Sequence, residues 1–66
     1  MKFLFDDNVY NLMMQLTTEH QSLWRIKEMY KKDAAECSEC LEFWQALEKD
    51  KEKNIQRLTE LLKKHI

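Results

Sequence analysis

A pair of closely spaced cysteines is the first feature that could carry chemistry. Cys37 and Cys40 form a C-x-x-C sequence in a chain that has no other cysteine. At the start of a helix, free amides and the helix dipole favour a thiolate, which raises redox reactivity and metal affinity. A zinc site needs four ligands, however, and nearby Glu36, Glu39 and Glu42 would raise a thiol pKa. We prefer two ordinary, partly buried cysteines, keep a thiol redox pair as the alternative, and predict no bound metal.

A second constellation consists of polar residues that interrupt otherwise apolar helix stripes: Glu19, His20, Lys51 and Asn54. The carboxylate and the imidazole could bind a metal ion, but a lysine cation would repel one and suits Glu19 better as an ion pair. We therefore favour a buried polar layer that fixes register and oligomeric state over a ligand site. No serine and histidine stand in a triad-like order and no Gly-rich loop is present, so no catalytic residue is predicted.

Two helices must position these residues, because the 66 residues contain no Gly and no Pro. The first helix is predicted over about residues 8–33, with Asp6, Asp7 or Asn8 as its N-cap. The second is predicted over about residues 39–64, with Ser38 as its N-cap. The first apolar stripe comprises Val9, Leu12, Leu16, Leu23, Ile26 and Tyr30. The second comprises Cys40, Trp44, Leu47, Leu58 and Leu61, flanked by Leu41, Ile55 and Leu62.

A turn over about residues 34–38 would fold the single domain, residues 1–66, into an antiparallel hairpin. One continuous helix is the alternative, because Ala34 and Ala35 favour helix. If the turn centres near residues 36 and 37, facing residue numbers add up to about 73. The stripes then match, and Glu19 lies opposite Asn54 with Lys51 one turn away.

Charge and hydropathy exclude several classes of protein. Eleven Lys and Arg balance 12 Asp and Glu without a basic cluster, so we expect no nucleic-acid binding. The apolar runs are too short to cross a membrane, and the apolar residues Met1 to Phe5 end at Asp6, too early for a secretory signal. A cytoplasmic location with no membrane association is the expectation.

Apolar residues beside the two stripes predict a second buried surface, because two helices sharing one seam bury too little apolar area to fold alone. Two hairpins packed as a homodimeric four-helix bundle would cover it, and a helix of another protein would meet the same need. The predicted interface residues are Met13, Trp24, Met29, Phe43 and Trp44, with Tyr10 beside them.

The region from Glu19 to Leu62 resembles half of a ferritin-like or rubrerythrin-like bundle. The likeness is carried by Tyr30 to Ala34 and by Phe43, Trp44, Leu47, Asp50 and Ile55 to Leu58. In that family each half supplies a Glu from its first helix and a Glu-x-x-His from its second to a di-metal centre. Here the second motif would fall on Lys51 and Asn54, and the first-helix Glu near Glu19 or on Leu23.

The resemblance therefore implies a half-length relative that dimerises and carries a polar layer in place of the metal centre. Together with the residue patterns, it predicts an interaction or scaffold module that acts by binding rather than catalysis and needs no cofactor. The alternative is a ferritin-like metal-binding or redox protein that uses Glu19 and His20, or Cys37 and Cys40.

Overall fold

The computed structural model describes residues 6–66, which form helices and contain no strand. Helix α1 spans Asp7–Arg25 and continues into a π-helical segment, Ile26–Tyr30, and a short helix α2, Lys31–Asp33. After a turn, helix α3 spans Ser38–His65. The prediction of an all-α chain with two main helical stretches is confirmed. The apolar N-terminal segment considered as a secretory signal falls on residues 1–5, outside the described residues.

Asp6 caps the N-terminus of α1. Its backbone is extended, with φ −71° and ψ 166°, and its side-chain Oδ1 accepts a hydrogen bond of 2.8 Å from the amide of Val9. The Asp6 carbonyl oxygen also accepts from the amide of Tyr10 at 3.1 Å. Of the three capping candidates in the sequence, the first is therefore the N-cap, and Asp7 adds negative charge in the first turn, where the helix dipole favours it.

Replacing Asp6 with alanine should lower the free energy of unfolding by about 1 kcal/mol, because the Val9 amide loses its acceptor. Urea denaturation followed by far-UV circular dichroism would measure the loss. Asp6→Asn is the matched control, since an amide oxygen can still accept and should retain most of the stability. Equal losses for both variants would mean that the charge matters and the hydrogen bond does not.

The start of α3 differs from the prediction that Ser38 is its N-cap. Cys37 is the N-cap: its backbone is extended, with φ −120° and ψ 100°, and its Sγ accepts a hydrogen bond from the amide of Cys40 at 3.2 Å. The Cys37 carbonyl oxygen accepts the first helical bond, from Leu41, at 2.9 Å. The prediction was wrong by one residue because Ser38 already lies inside the helix.

A π-helical turn interrupts the first helical stretch, and the sequence patterns did not predict it. The amide of Lys31 donates to the carbonyl oxygen of Ile26, five residues earlier, so one extra residue is accommodated in the turn. This bond brings Lys31 above Ile26, whereas an uninterrupted α-helix would turn it well away. As a result, Lys31 Nζ lies 2.7 Å from Glu48 Oε1 on α3.

The two helical stretches pack along one seam with a small core. The buried apolar residues of the described chain are Val9, Ile26 and Leu62, and Ile26 is 0% exposed. The radius of gyration is 15.0 Å, against about 11 Å for a compact domain of this length, and the extents are 48 × 18 × 14 Å. Within residues 6–66, no helix has the length and apolar character to span a bilayer. The described chain is thus a thin, elongated pair of helical stretches.

Candidate functional site

Glu19 is buried on the seam between α1 and α3. Its side chain is held by two neighbours: Oε2 lies 2.9 Å from Nζ of Lys51, and Oε1 accepts a hydrogen bond of 3.2 Å from Nε2 of Gln15. The residue is only 6% exposed. Oε2 is buried without an aligned hydrogen-bond donor, so its contact with Lys51 is mainly one of charge. Because Gln15 lies one helical turn before Glu19, the spacing of four residues could have revealed this bond.

The other two members of the predicted polar layer lie on different sides of the seam. Asn54 is exposed and lines a groove together with Glu19 and Leu61. His20 is also exposed, and it lines grooves on another part of the surface, next to Trp24 in one and next to Ile55 in the other. The structure therefore brings Glu19 to Lys51 and near Asn54, and it places His20 apart from them.

The described residues bring together few side chains that could act as ligands of a metal ion. Among residues 6–66, no three His, Cys, Asp or Glu side chains come together in a group suited to metal binding. Among residues 6–66, Lys31 and Glu48 form a second ion pair across the seam, which the sequence patterns did not predict. It was missed because the helical register changes at the π-helical turn.

Cys37 and Cys40 lie together in the first turn of α3, and both are exposed free thiols. They line one shallow groove with Tyr30, Ala34 and Trp44. The bond from the Cys40 amide to Cys37 Sγ holds the first sulfur over the N-terminus of a 28-residue helix. The two side chains are therefore accessible and adjacent, rather than the partly buried residues that the sequence favoured.

The two thiols differ in their pKa values. The pKa of Cys37 is lowered from its ordinary value, first by a hydrogen bond from the Cys40 side chain and then by one from the Cys40 backbone amide. The pKa of Cys40 is raised, chiefly because its side chain gives that hydrogen bond to Cys37. The expectation that the neighbouring glutamates would raise a thiol pKa is wrong for Cys37, whose pKa is lowered by the hydrogen bonds from Cys40.

The predicted interface residues include several large apolar side chains that lie exposed. Trp24 is 56% exposed and Phe43 59%, and Met13 and Met29 are exposed as well. Trp44 is half-buried: its ring centroid lies 4.9 Å from that of Tyr30 across the seam and 5.1 Å from that of Phe43.

One continuous strip of this surface runs along α1. A groove of about 430 Å³ is lined by Leu16, Thr17, His20, Gln21, Ile55 and Thr59. A second groove, of about 320 Å³, shares two of these residues and adds Trp24 and Arg25. Because the grooves share His20 and Gln21, they form a single surface, called here the Trp24 strip.

Comparison with known proteins gives no further guide to this surface or to the thiols, since no family model, no curated protein and no solved structure matches the chain.

Proposed function

We propose that the chain is an antiparallel helical hairpin, that two copies pack as a four-helix bundle, and that the bundle works as a cytoplasmic interaction or scaffold module. The antiparallel arrangement is supported by the contacts across the seam. Tyr30, late in the first stretch, contacts Trp44, early in α3, whereas the earlier Glu19 contacts the later Lys51. Residue numbers that rise on one helix and fall on the other are the pattern of an antiparallel pair.

The observation that carries the assembly is the imbalance between the core and the surface. Three apolar residues of the described chain are buried, while seven large apolar ones are exposed, among them Trp24, Phe43 and Met29. Exposed aromatic and Met side chains at this density are typical of protein-binding surfaces, because binding a partner removes a large apolar area from contact with water. A second copy that covers some of them, Met13 and Trp24 included, would supply the burial that one hairpin lacks.

The spacing along α1 supports a two-fold symmetric contact. Met13, Thr17, His20 and Trp24 follow one another at intervals of four, three and four residues, which is coiled-coil spacing. This series of intervals is the same from either end, as a two-fold symmetric contact requires. If two α1 helices pack antiparallel about a point between Thr17 and His20, Met13 faces Trp24 of the partner subunit, and Thr17 faces His20 of the partner subunit.

The ferritin-like resemblance is part of the same proposal. A half-length chain of that class would complete its bundle by dimerisation, with Glu19 and Lys51 where the resemblance implies metal ligands. The ion pair of 2.9 Å supports a polar layer at this position, since the Lys51 cation neutralises the carboxylate that a metal would otherwise bind. The proposed action of the module is binding.

The experiment is to measure subunit number by native mass spectrometry and sedimentation equilibrium for the full chain and for Trp24→Glu. We expect a dimer for the unchanged chain and a dimer dissociation constant raised about 100-fold or more by the substitution, because a charge replaces the largest aromatic side chain of the contact. A monomeric unchanged chain would exclude the assembly. If the partner were a different helical protein, the chain alone would be a monomer and would form a hetero-complex only when that protein is added.

Two further variants test the register. Met14→Glu is the matched control, because Met14 is an exposed methionine of α1 outside the Trp24 strip, and its dimer should persist. Met13→Lys combined with Trp24→Glu should recover about tenfold in affinity over Trp24→Glu alone, since each new glutamate would face a lysine of the partner subunit. Loss of the dimer in Phe43→Glu but not in Trp24→Glu would place the contact on α3 and exclude the symmetric α1 pair.

A further inference from the structure

We propose that Cys37 and Cys40 form a reversible disulfide within one chain by exchange with a small-molecule disulfide of the glutathione type. Two thiols of a C-x-x-C sequence, both accessible, stand at the first turn of α3 in an open groove. This is a chemical activity separate from the assembly through the Trp24 strip, and it does not depend on it.

The geometry favours a bond between these two sulfurs. Cys37 is the N-cap with an extended backbone, and its Sγ lies 3.2 Å from the amide nitrogen of Cys40. The Cβ of Cys40 is two bonds from that nitrogen, so the second side chain begins close to the first sulfur. A disulfide requires such proximity, because its Cβ atoms must come within about 4.5 Å.

The two cysteines have different roles in the exchange. Cys37 is the attacking thiol, since its sulfur accepts hydrogen bonds from the Cys40 amide and thiol that stabilise negative charge. The positive end of the α3 dipole acts in the same direction. Cys40 keeps its proton more firmly and becomes the resolving thiol once its neighbour has reacted.

The exchange balances in two steps. The Cys37 thiolate attacks one sulfur of the small disulfide, forming a mixed disulfide and expelling one thiolate, which takes up a proton from water. Cys40 then loses its proton to water and attacks Cys37 Sγ, expelling the second small thiolate, which is protonated in turn. Both cysteines are oxidised by two electrons in all, and one small disulfide is reduced to two thiols.

The groove beside the sulfurs gives the small disulfide access to them and places a fluorescent side chain close enough to report their oxidation. Tyr30, Ala34 and Trp44 line it together with Asp33, so a small disulfide can approach from solvent along a mostly apolar wall that carries one carboxylate. Trp44 lies one helical turn after Cys40. Since disulfides quench indole fluorescence at short range, oxidation should dim Trp44, and a Trp24→Phe background leaves it as the single reporter.

The test uses the full chain equilibrated with mixtures of reduced and oxidised glutathione, quenched with acid and alkylated before mass measurement. We expect oxidation to give a chain that is lighter by two hydrogen atoms and does not react with the alkylating agent. Excess reduced glutathione should return it to the dithiol. The Trp44 fluorescence should fall and recover together with the oxidised fraction. The same result is expected for the Trp24→Glu variant, so failure of the assembly proposal and failure of this one are distinguishable.

Single variants separate the roles of the two thiols. At neutral pH, Cys37 in Cys40→Ser should be alkylated about tenfold faster than Cys40 in Cys37→Ser, because the serine hydroxyl still donates to the Cys37 sulfur. A persistent glutathione adduct in the unchanged chain, or a disulfide between two chains, would overturn the proposal. So would stoichiometric zinc held by the four thiols of two chains, because those cysteines would then be structural ligands.

Discussion

Replacement of Ile26 by alanine should lower the free energy of unfolding by about 2–5 kcal/mol. Ile26 is 0% exposed and is the largest fully buried side chain of the described residues. It begins the π-helical turn, and its carbonyl oxygen accepts the bond from Lys31 that closes this turn. Truncation would leave a cavity at the point where the first helical stretch packs on α3, and an elongated pair of helices has few other apolar contacts to compensate.

Chemical denaturation at fixed protein concentration would measure the effect, because stability and dimerisation are linked. Ile26→Val, which removes a single methylene group, should cost about 0.5–1.5 kcal/mol. Met29→Ala is the matched control within the π-helical turn, with both variants measured in the Trp24→Glu background so that no second copy covers Met29; its side chain is exposed, and its truncation should cost much less. If Ile26→Ala and Met29→Ala were equally costly, the turn would not be packed on α3 as described.

The helical content could be predicted from the sequence because every local signal agreed. The chain has no Gly and no Pro, and its apolar residues recur at helical spacing. Val9 and Ile26, two of the three buried apolar residues, belong to the predicted first stripe. Leu62, the third, was placed beside the second stripe, because a pattern interrupted at Lys51 and Asn54 does not fix the direction of a helix face.

The remaining features depend on departures from regular periodicity. A π-helical turn adds a residue to one turn, so Lys31 reaches Glu48, which no fixed repeat predicts. The Cys37 cap was missed because serine is the stronger N-cap residue by type, whereas the backbone of Cys37 is the one that is extended. His20 was grouped with Glu19 by adjacency, yet neighbouring residues on a helix point about 100° apart.

Replacement of Lys51 by methionine should lower the free energy of unfolding by about 3 kcal/mol, because the Glu19 carboxylate would be left buried without its cation. The side chain of Glu19 is 8% exposed and that of Lys51 is 22% exposed, so water can only partly replace the ammonium group. Among the described residues, Gln15 would remain as the hydrogen-bond donor to this carboxylate. Urea denaturation of the unchanged chain and of Lys51→Met would measure the loss. Lys31→Met is the matched control, since Lys31 is more exposed and its ion pair with Glu48 should contribute less.

The double variant Glu19→Leu with Lys51→Met separates stability from specificity. Replacing both partners by apolar side chains of similar size should leave stability unchanged or raise it, because the desolvation cost of two charges is removed along with their attraction. If the pair fixes the register of the assembly, the same variant should lose its single oligomeric state in sedimentation analysis while remaining folded. A stable double variant with one subunit number would limit the role of Glu19 and Lys51 to the seam within one chain. A loss in the double variant as large as in Lys51→Met would mean that the methionine itself packs poorly there, and that the carboxylate is not the cause.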